Sequence, residues 1–143
     1  VIILDPGGEV DTLAFNQRAH RQILQRLAPV HREAFSVLHE GLRQADLSAI
    51  GYAATLSATA HQAILANPLL DLALSLAHEV QALGVCRAHS GTILGLLLPP
   101  ATTDVTAVTA LAALRCGAAV TVVGQTLSSG GMLLEPEHTR GTR

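Results

Sequence analysis

The chain has 143 residues, 49% of them hydrophobic and 14% charged, with a formal net charge of -2 at pH 7. That length suits one domain with a single core, and that composition excludes an intrinsically disordered chain. The near-neutral charge, with only two Phe, one Tyr and no Trp, removes both the basic patch and the stacking platforms on which nucleic-acid binding relies.

Val1–Asp5 is a β-branched, apolar run closed by Pro6-Gly7-Gly8, which reads as a strand entering a loop. The period then changes: Phe15, Ala19, Ile23 and Leu27 recur every four residues, predicting a helix capped by Asp11 or Thr12 and ended or kinked by Pro29. Val30, Ala34, Leu38 and Leu42 continue a second helical stripe to about Arg43. Asp46 is the expected cap of a third helix, with its stripe through Leu47, Ile50, Ala54, Ser57, His61 and Leu65. Asn67-Pro68 predicts a restart, with Asn67 as cap and Pro68 at the first helical position. That helix is expected to run through Leu83, with Gly84 as a left-handed C-cap.

Val85–His89 and Thr92–Leu98 then read as two strands of a hairpin turning at Ser90-Gly91, stopped by Pro99-Pro100. Asp104 caps a further helix ended by Gly117, and 118–126 forms a last strand. The segment 127–143 is polar and without period, so the domain is expected over 1–126 with a loosely ordered tail behind it. Strand, helices, strand, strand, helix, strand is the split βαβ, ferredoxin-like order. The predicted fold is therefore α+β, with an expanded first helical segment and helices packed on one face of the sheet.

Residue types narrow the chemistry. All nine basic residues are arginine, which excludes a Walker-type phosphate loop and Schiff-base lysine chemistry in this chain. Cys86 and Cys116 are thirty positions apart without metal-ligand spacing and are expected to be reduced thiols. No apolar stretch approaches the ~20 residues that span a bilayer, and no signal peptide opens the chain, so a cytoplasmic setting is expected. The first residues are Val1-Ile2-Ile3, without an initiator Met and already inside a strand. The sequence thus reads as part of something longer.

Seven histidines are present, but none pairs at the i, i+4 spacing of a helical zinc site, so no metal site is predicted. His20, His31, His39 and His78 read as helix-surface residues, and His61, on an apolar stripe, as an interior histidine. Two segments stand out. The first, Pro6–Thr12, joins a strand end to a helix start, where free backbone N–H groups favour anions, although a plain turn and cap explain it equally. The second, Arg87–Thr92, clusters polar residues at a tight turn. Arg87 and His89 are costly in a buried sheet unless they face a cleft or a partner.

The stretch Asp46–Leu98 resembles the C-terminal domain of the GHMP kinases. The resemblance rests on His61-Gln62, Asn67-Pro68-Leu69-Leu70-Asp71, Gly84-Val85, Ala88-His89-Ser90-Gly91-Thr92 and the apolar strand Ile93–Leu98. It is strongest to the L-threonine kinase branch of cobalamin assembly, through the GGxVDT and AHSGT segments. The resemblance implies ATP- and Mg2+-dependent phosphorylation of a small hydroxylated acceptor such as L-threonine. It places His89, Ser90, Gly91 and Thr92 beside the nucleotide phosphates and Asp11, Thr12 and Asn16 at the acceptor. The loop is shorter and poorer in glycine than the family's GAGxGG form, and the principal PxxxGLGSSA phosphate loop is absent from the sequence. An N-terminal kinase domain is therefore expected to supply that loop, and this chain alone is expected to be inactive. The rival readings, which need no further domain, are a ferredoxin-like small-metabolite-binding module and an oligomerisation module. Neither nucleic acid nor membrane is an expected partner; a homo-oligomer is left open.

Overall fold

A computed structural model describes residues 1–8, 10–17, 21–88, 91–100, 102 and 104–125. The elements in chain order are β1 (Ile2–Asp5), α1 (Thr12–Gln17), α2 (Arg21–Gln44), α3 (Leu47–His61) and α4 (Leu70–Glu79), then β2 (Gly84–Arg87), β3 (Leu94–Leu97), α5 (Val105–Cys116) and β4 (Thr121–Gly124). The four strands form one sheet in the order β2-β3-β1-β4, and every neighbouring pair is antiparallel. This is the arrangement expected of a split βαβ fold. The predicted tail, 127–143, lies outside the described residues.

Period-two alternation explains the core. Ile2 lies opposite Leu96, which lies opposite Val85; Leu4 lies opposite Leu94, which lies opposite Arg87. All these side chains therefore share one face of the sheet. Onto that face α4 brings Leu70, Ala73 and Leu76, and α5 brings Ala112. Ile2, Leu4, Leu70, Leu76, Leu94, Leu96 and Val85 are the largest fully buried side chains, each worth about 1.5–3 kcal/mol on burial. The opposite face carries Ile3, Cys86, Gly95 and Val123, and Val123 is 39% exposed.

The outer edge of β2 is closed by α3 rather than by another strand. The Thr55 hydroxyl accepts from the Val85 N–H at 2.9 Å and donates to the Gly51 carbonyl at 2.9 Å. A helix can lie this close only because two glycines meet there. A Cβ on Gly84 would collide with the Gly51 carbonyl, and one on Gly51 with the Leu83 carbonyl. An unpaired strand edge is thereby covered and its donor satisfied.

The helix caps follow the expected chemistry at three places. Asp46 Oδ1 accepts from the N–H groups of Ser48 and Ala49, Asp104 Oδ1 from that of Ala107, and Asp11 Oδ1 from that of Ala14. Gly117 ends α5 with φ of 77°, the region that favours glycine.

Three expectations are corrected. Pro29 neither ends nor separates a helix; it sits inside α2, which runs 24 residues from Arg21. A proline at that position costs about 3 kcal/mol, and the packing of α2 on α3 through Ala34 and Gly41 offsets it. Pro68 precedes α4 instead of opening it, and Asn67 caps a turn three residues upstream of Leu70, the first residue of the helix. Gly84 is not a helix cap but the first residue of β2. The positive φ after α4 belongs to Gln81, at 53°. Tertiary contact, not local conformation, demands glycine at position 84. Among the described residues no helix is long and apolar enough to cross a membrane.

The close approach of α3 to β2 makes a direct prediction. Gly84→Ala should lower unfolding free energy by about 1–3 kcal/mol, as overpacked sites do. Urea denaturation followed by circular dichroism measures it, and an unchanged midpoint would refute the contact.

Candidate functional site

The hairpin between β2 and β3 is closed by the Ala88 N–H donating to the Ile93 carbonyl at 3.0 Å. Of the four residues nominated here from sequence, Gly91 and Thr92 are half-buried, while His89 and Ser90 lie outside the described residues. The loop does not hang freely. Asn67 Nδ2 donates to the Thr92 carbonyl at 2.8 Å, across 25 positions of sequence. The same Asn67 accepts from the Leu69 N–H through Oδ1 at 2.9 Å and is 3% exposed.

Gln62, one residue beyond α3, completes the support. Its Nε2 donates to the Asn67 carbonyl, and its Oε1 accepts from the Asn67 N–H, both at 2.9 Å. Gln62 Oε1 also accepts from Arg87 Nη1 at 3.0 Å, while Arg87 Nη2 donates to the Leu65 carbonyl at 2.9 Å. Arg87, the last residue of β2, is 8% exposed. The side chains of Gln62, Asn67 and Arg87 thus clamp the segment after α3 to the β2–β3 loop. Buried polar groups are tolerated only when hydrogen-bonded, so such a network fixes one arrangement.

One donor in the clamp is left over: Arg87 Nε is buried without an acceptor. Among the described residues the ion pairs are Arg43–Glu40 and Arg115–Glu79, and no carboxylate pairs with Arg87. Desolvation lowers the pKa of its guanidinium, yet an arginine stays protonated in a protein. A positive charge without a counter-ion among the described residues therefore lies at the base of the loop.

The second nominated segment arrives at the same place. Gly7 and Gly8, with φ of 69° and 81°, turn the chain after β1, and the Gly7 N–H donates to Asp5 Oδ1 at 2.8 Å. Asp11 follows, exposed, as the cap of α1; Thr12 and Asn16 lie on α1 itself. Phe15 of this helix lies 6.4 Å from His61, ring centre to ring centre, tilted by 49°. His61 ends α3 and is 6% exposed, so the reading of an interior histidine holds. Because Gln62 follows directly, α1 and the β2–β3 loop both converge on the C-terminal end of α3.

A cleft of about 1180 Å³ opens from this point between α2, α3 and β2, with Phe15, His61, Cys86 and Arg87 among its lining residues. Cys86 is a free thiol, and burial pushes its pKa up. Cys116 is also free and is raised for the same reason. Both are therefore protonated and weakly nucleophilic at neutral pH.

Among the described residues no group of three or more His, Cys, Asp or Glu could hold a metal ion. His20, His89 and His138 lie outside those residues. Arg87 was legible in the sequence through the cost of burying it. Gln62 and Asn67 were not legible as a clamp, because their partners lie far away along the chain.

Fold and site together define an α+β, split βαβ domain whose β2–β3 loop is pinned from beneath. The chain is similar to the L-threonine kinase of Citrobacter freundii, 32% identical over 98 residues, which cover 68% of this chain and 34% of that protein. It is also similar to the L-threonine kinase of Salmonella typhimurium, 30% identical over 98 residues, 68% of this chain and 33% of that protein. The chain is thus related to the L-threonine kinases, as the GHMP-type resemblance implied, and it spans about a third of the length of these curated relatives. No family model and no solved structure matches it.

If the clamp holds the loop, Asn67→Ala should cost about 1–3 kcal/mol, the penalty for stranding buried polar partners. Amide hydrogen exchange at Ala88 should accelerate in the same variant. Unchanged exchange at that amide would show the loop to be held by something else.

Proposed function

We propose that this chain forms one wall of an ATP-dependent kinase that phosphorylates the hydroxyl group of a small acceptor, with L-threonine as the acceptor. The observation that supports this reading is the similarity to two L-threonine kinases. The geometry adds a reason for the nominated segments to work together, since α1 and the 88–92 loop meet at the end of α3.

Phosphoryl transfer asks a protein mainly for positioning and for stabilisation of charge on the transferring group. In this reading His89, Ser90, Gly91 and Thr92 border the nucleotide phosphates, and Asp11, Thr12 and Asn16 line the acceptor side. The clamp of Gln62, Asn67 and Arg87 keeps the phosphate-side loop in place against the opening. A rigid support there lowers the entropy lost when acceptor and phosphate are aligned. ATP supplies the phosphoryl group and Mg2+ its charge neutralisation in the complete enzyme, where an N-terminal domain carries the principal phosphate loop. A role in cobalamin assembly, within the cytoplasm, is part of the same proposal.

The test compares this chain alone with an enzyme that carries it. With L-threonine and Mg-ATP, the chain alone should release no ADP above buffer. In the complete enzyme, deleting His89 and Ser90 should lower threonine turnover by at least about tenfold, the scale on which positioning losses register. Full activity of that deletion, or threonine phosphorylation by the chain alone, would refute the assignment.

A further inference from the structure

The cleft between α2 and α3 is too large and too apolar to be matched to threonine. Its volume is about 1180 Å³, against the roughly 300–1,000 Å³ common for small-molecule sites. The wall supplied by α2 includes Leu24, Phe35 and Leu38, and the facing wall of α3 includes Ile50. Phe35 is 73% exposed and Leu24 45% exposed, so this apolar stripe has no cover among the described residues.

The cleft also holds the neutral Gln25 and Ser57, but its charge is one-sided. Arg21, His31, His61 and Arg87 line it, and no aspartate or glutamate is among its described lining residues. Arg87 sits at the β2 end with its positive charge unpaired by any described carboxylate and its Nε–H without an acceptor. A buried cation is expensive unless an anion compensates it. Apolar walls leading to a cation that no described carboxylate compensates match a molecule with an apolar tail and an anionic head.

We propose that this cleft binds an amphipathic carboxylate, its head drawn to the Arg87 end and its hydrocarbon chain lying along Leu24, Phe35 and Leu38 of α2. The carboxylate supplies the charge that Arg87 lacks. The tail covers apolar surface that α2 otherwise leaves in water, the ordinary driving force for such binding. The site shares Arg87 with the clamp beneath the β2–β3 loop, but it does not depend on the kinase reading.

Titration calorimetry of the 143-residue chain with decanoate, decanol and decyltrimethylammonium, each below its micelle concentration, tests the proposal. Decanoate should bind one to one and at least about tenfold more tightly than either control, the scale of a charge-assisted contact. It should also shield Cys86, which lines the cleft, from maleimide. Phe35→Glu places a carboxylate on an exposed wall position and should weaken decanoate by about tenfold or more without disturbing the fold. Arg87→Met should erase the preference for decanoate over decanol. Should that variant unfold, the comparison of decanoate with decyltrimethylammonium on the unaltered chain still decides. Equal binding of the three probes, no binding at all, or a dimer that Phe35→Glu dissociates while decanoate has no effect would each overturn the proposal.

Discussion

A buried guanidinium governs the geometry of this domain. Arg87 ends β2 on the core face of the sheet, in register with Leu94 and Leu4, where an aliphatic side chain would be the default. Its stem continues the apolar row, and its two terminal nitrogens reach Gln62 and the Leu65 carbonyl. Those bonds fix the segment between α3 and α4 relative to the sheet. Asn67, held by Gln62, then fixes the start of the α4 turn and the far side of the β2–β3 loop. Remove the guanidinium and the segment between α3 and α4 loses its direct bonds to the end of β2. The clamp therefore places strong polar demands on one corner of an otherwise aliphatic core, and a corner of that kind is where a binding site can be held rigidly.

The expanded helical segment between β1 and β2 has a corresponding physical role. The split βαβ plan needs a single helix in that crossover, which α4 provides by packing Leu70, Ala73 and Leu76 on the sheet. The additional helices α2 and α3 form a hairpin beside β2, and the Gly51–Gly84 contact with the Thr55 hydroxyl seals the strand edge. Sealing an edge in this way blocks strand addition by another chain. It also carries the end of α3 to the β2–β3 loop, which is how the His61–Phe15 contact and the Gln62–Arg87 contact come to lie next to each other. The same hairpin leaves Leu24 and Phe35 of α2 uncovered by any described residue, and the cleft lies beside them.

Much of the fold was legible because it is written in local chemistry. Asp46 and Asp104 cap the helices expected of them, Asp11, one of two candidates with Thr12, caps the short α1, and Gly117 ends α5 as expected. The order of strands and helices along the chain was enough for the split βαβ topology. The misreadings arise where tertiary contact overrides local preference. Pro29 reads as a breaker, yet α2 continues through it because its face is packed on α3. Gly84 reads as a cap, yet it is required by a carbonyl more than thirty positions away in sequence. The site was half legible. Arg87 betrayed itself by the cost of its burial, whereas Gln62 and Asn67 carry no motif and acquire meaning only through partners 25 positions distant.

The account depends on the β2–β3 loop facing the phosphates of a bound nucleotide. Photo-crosslinking reads that placement directly, with an ATP analogue bearing a photoreactive group on its γ-phosphate and the complete enzyme that carries this domain. Mass spectrometry of the digest should place the adduct within residues 88–93, with labelling suppressed by excess Mg-ATP. Competable labelling confined to other segments, with the peptide spanning 88–93 unmodified, would contradict the account.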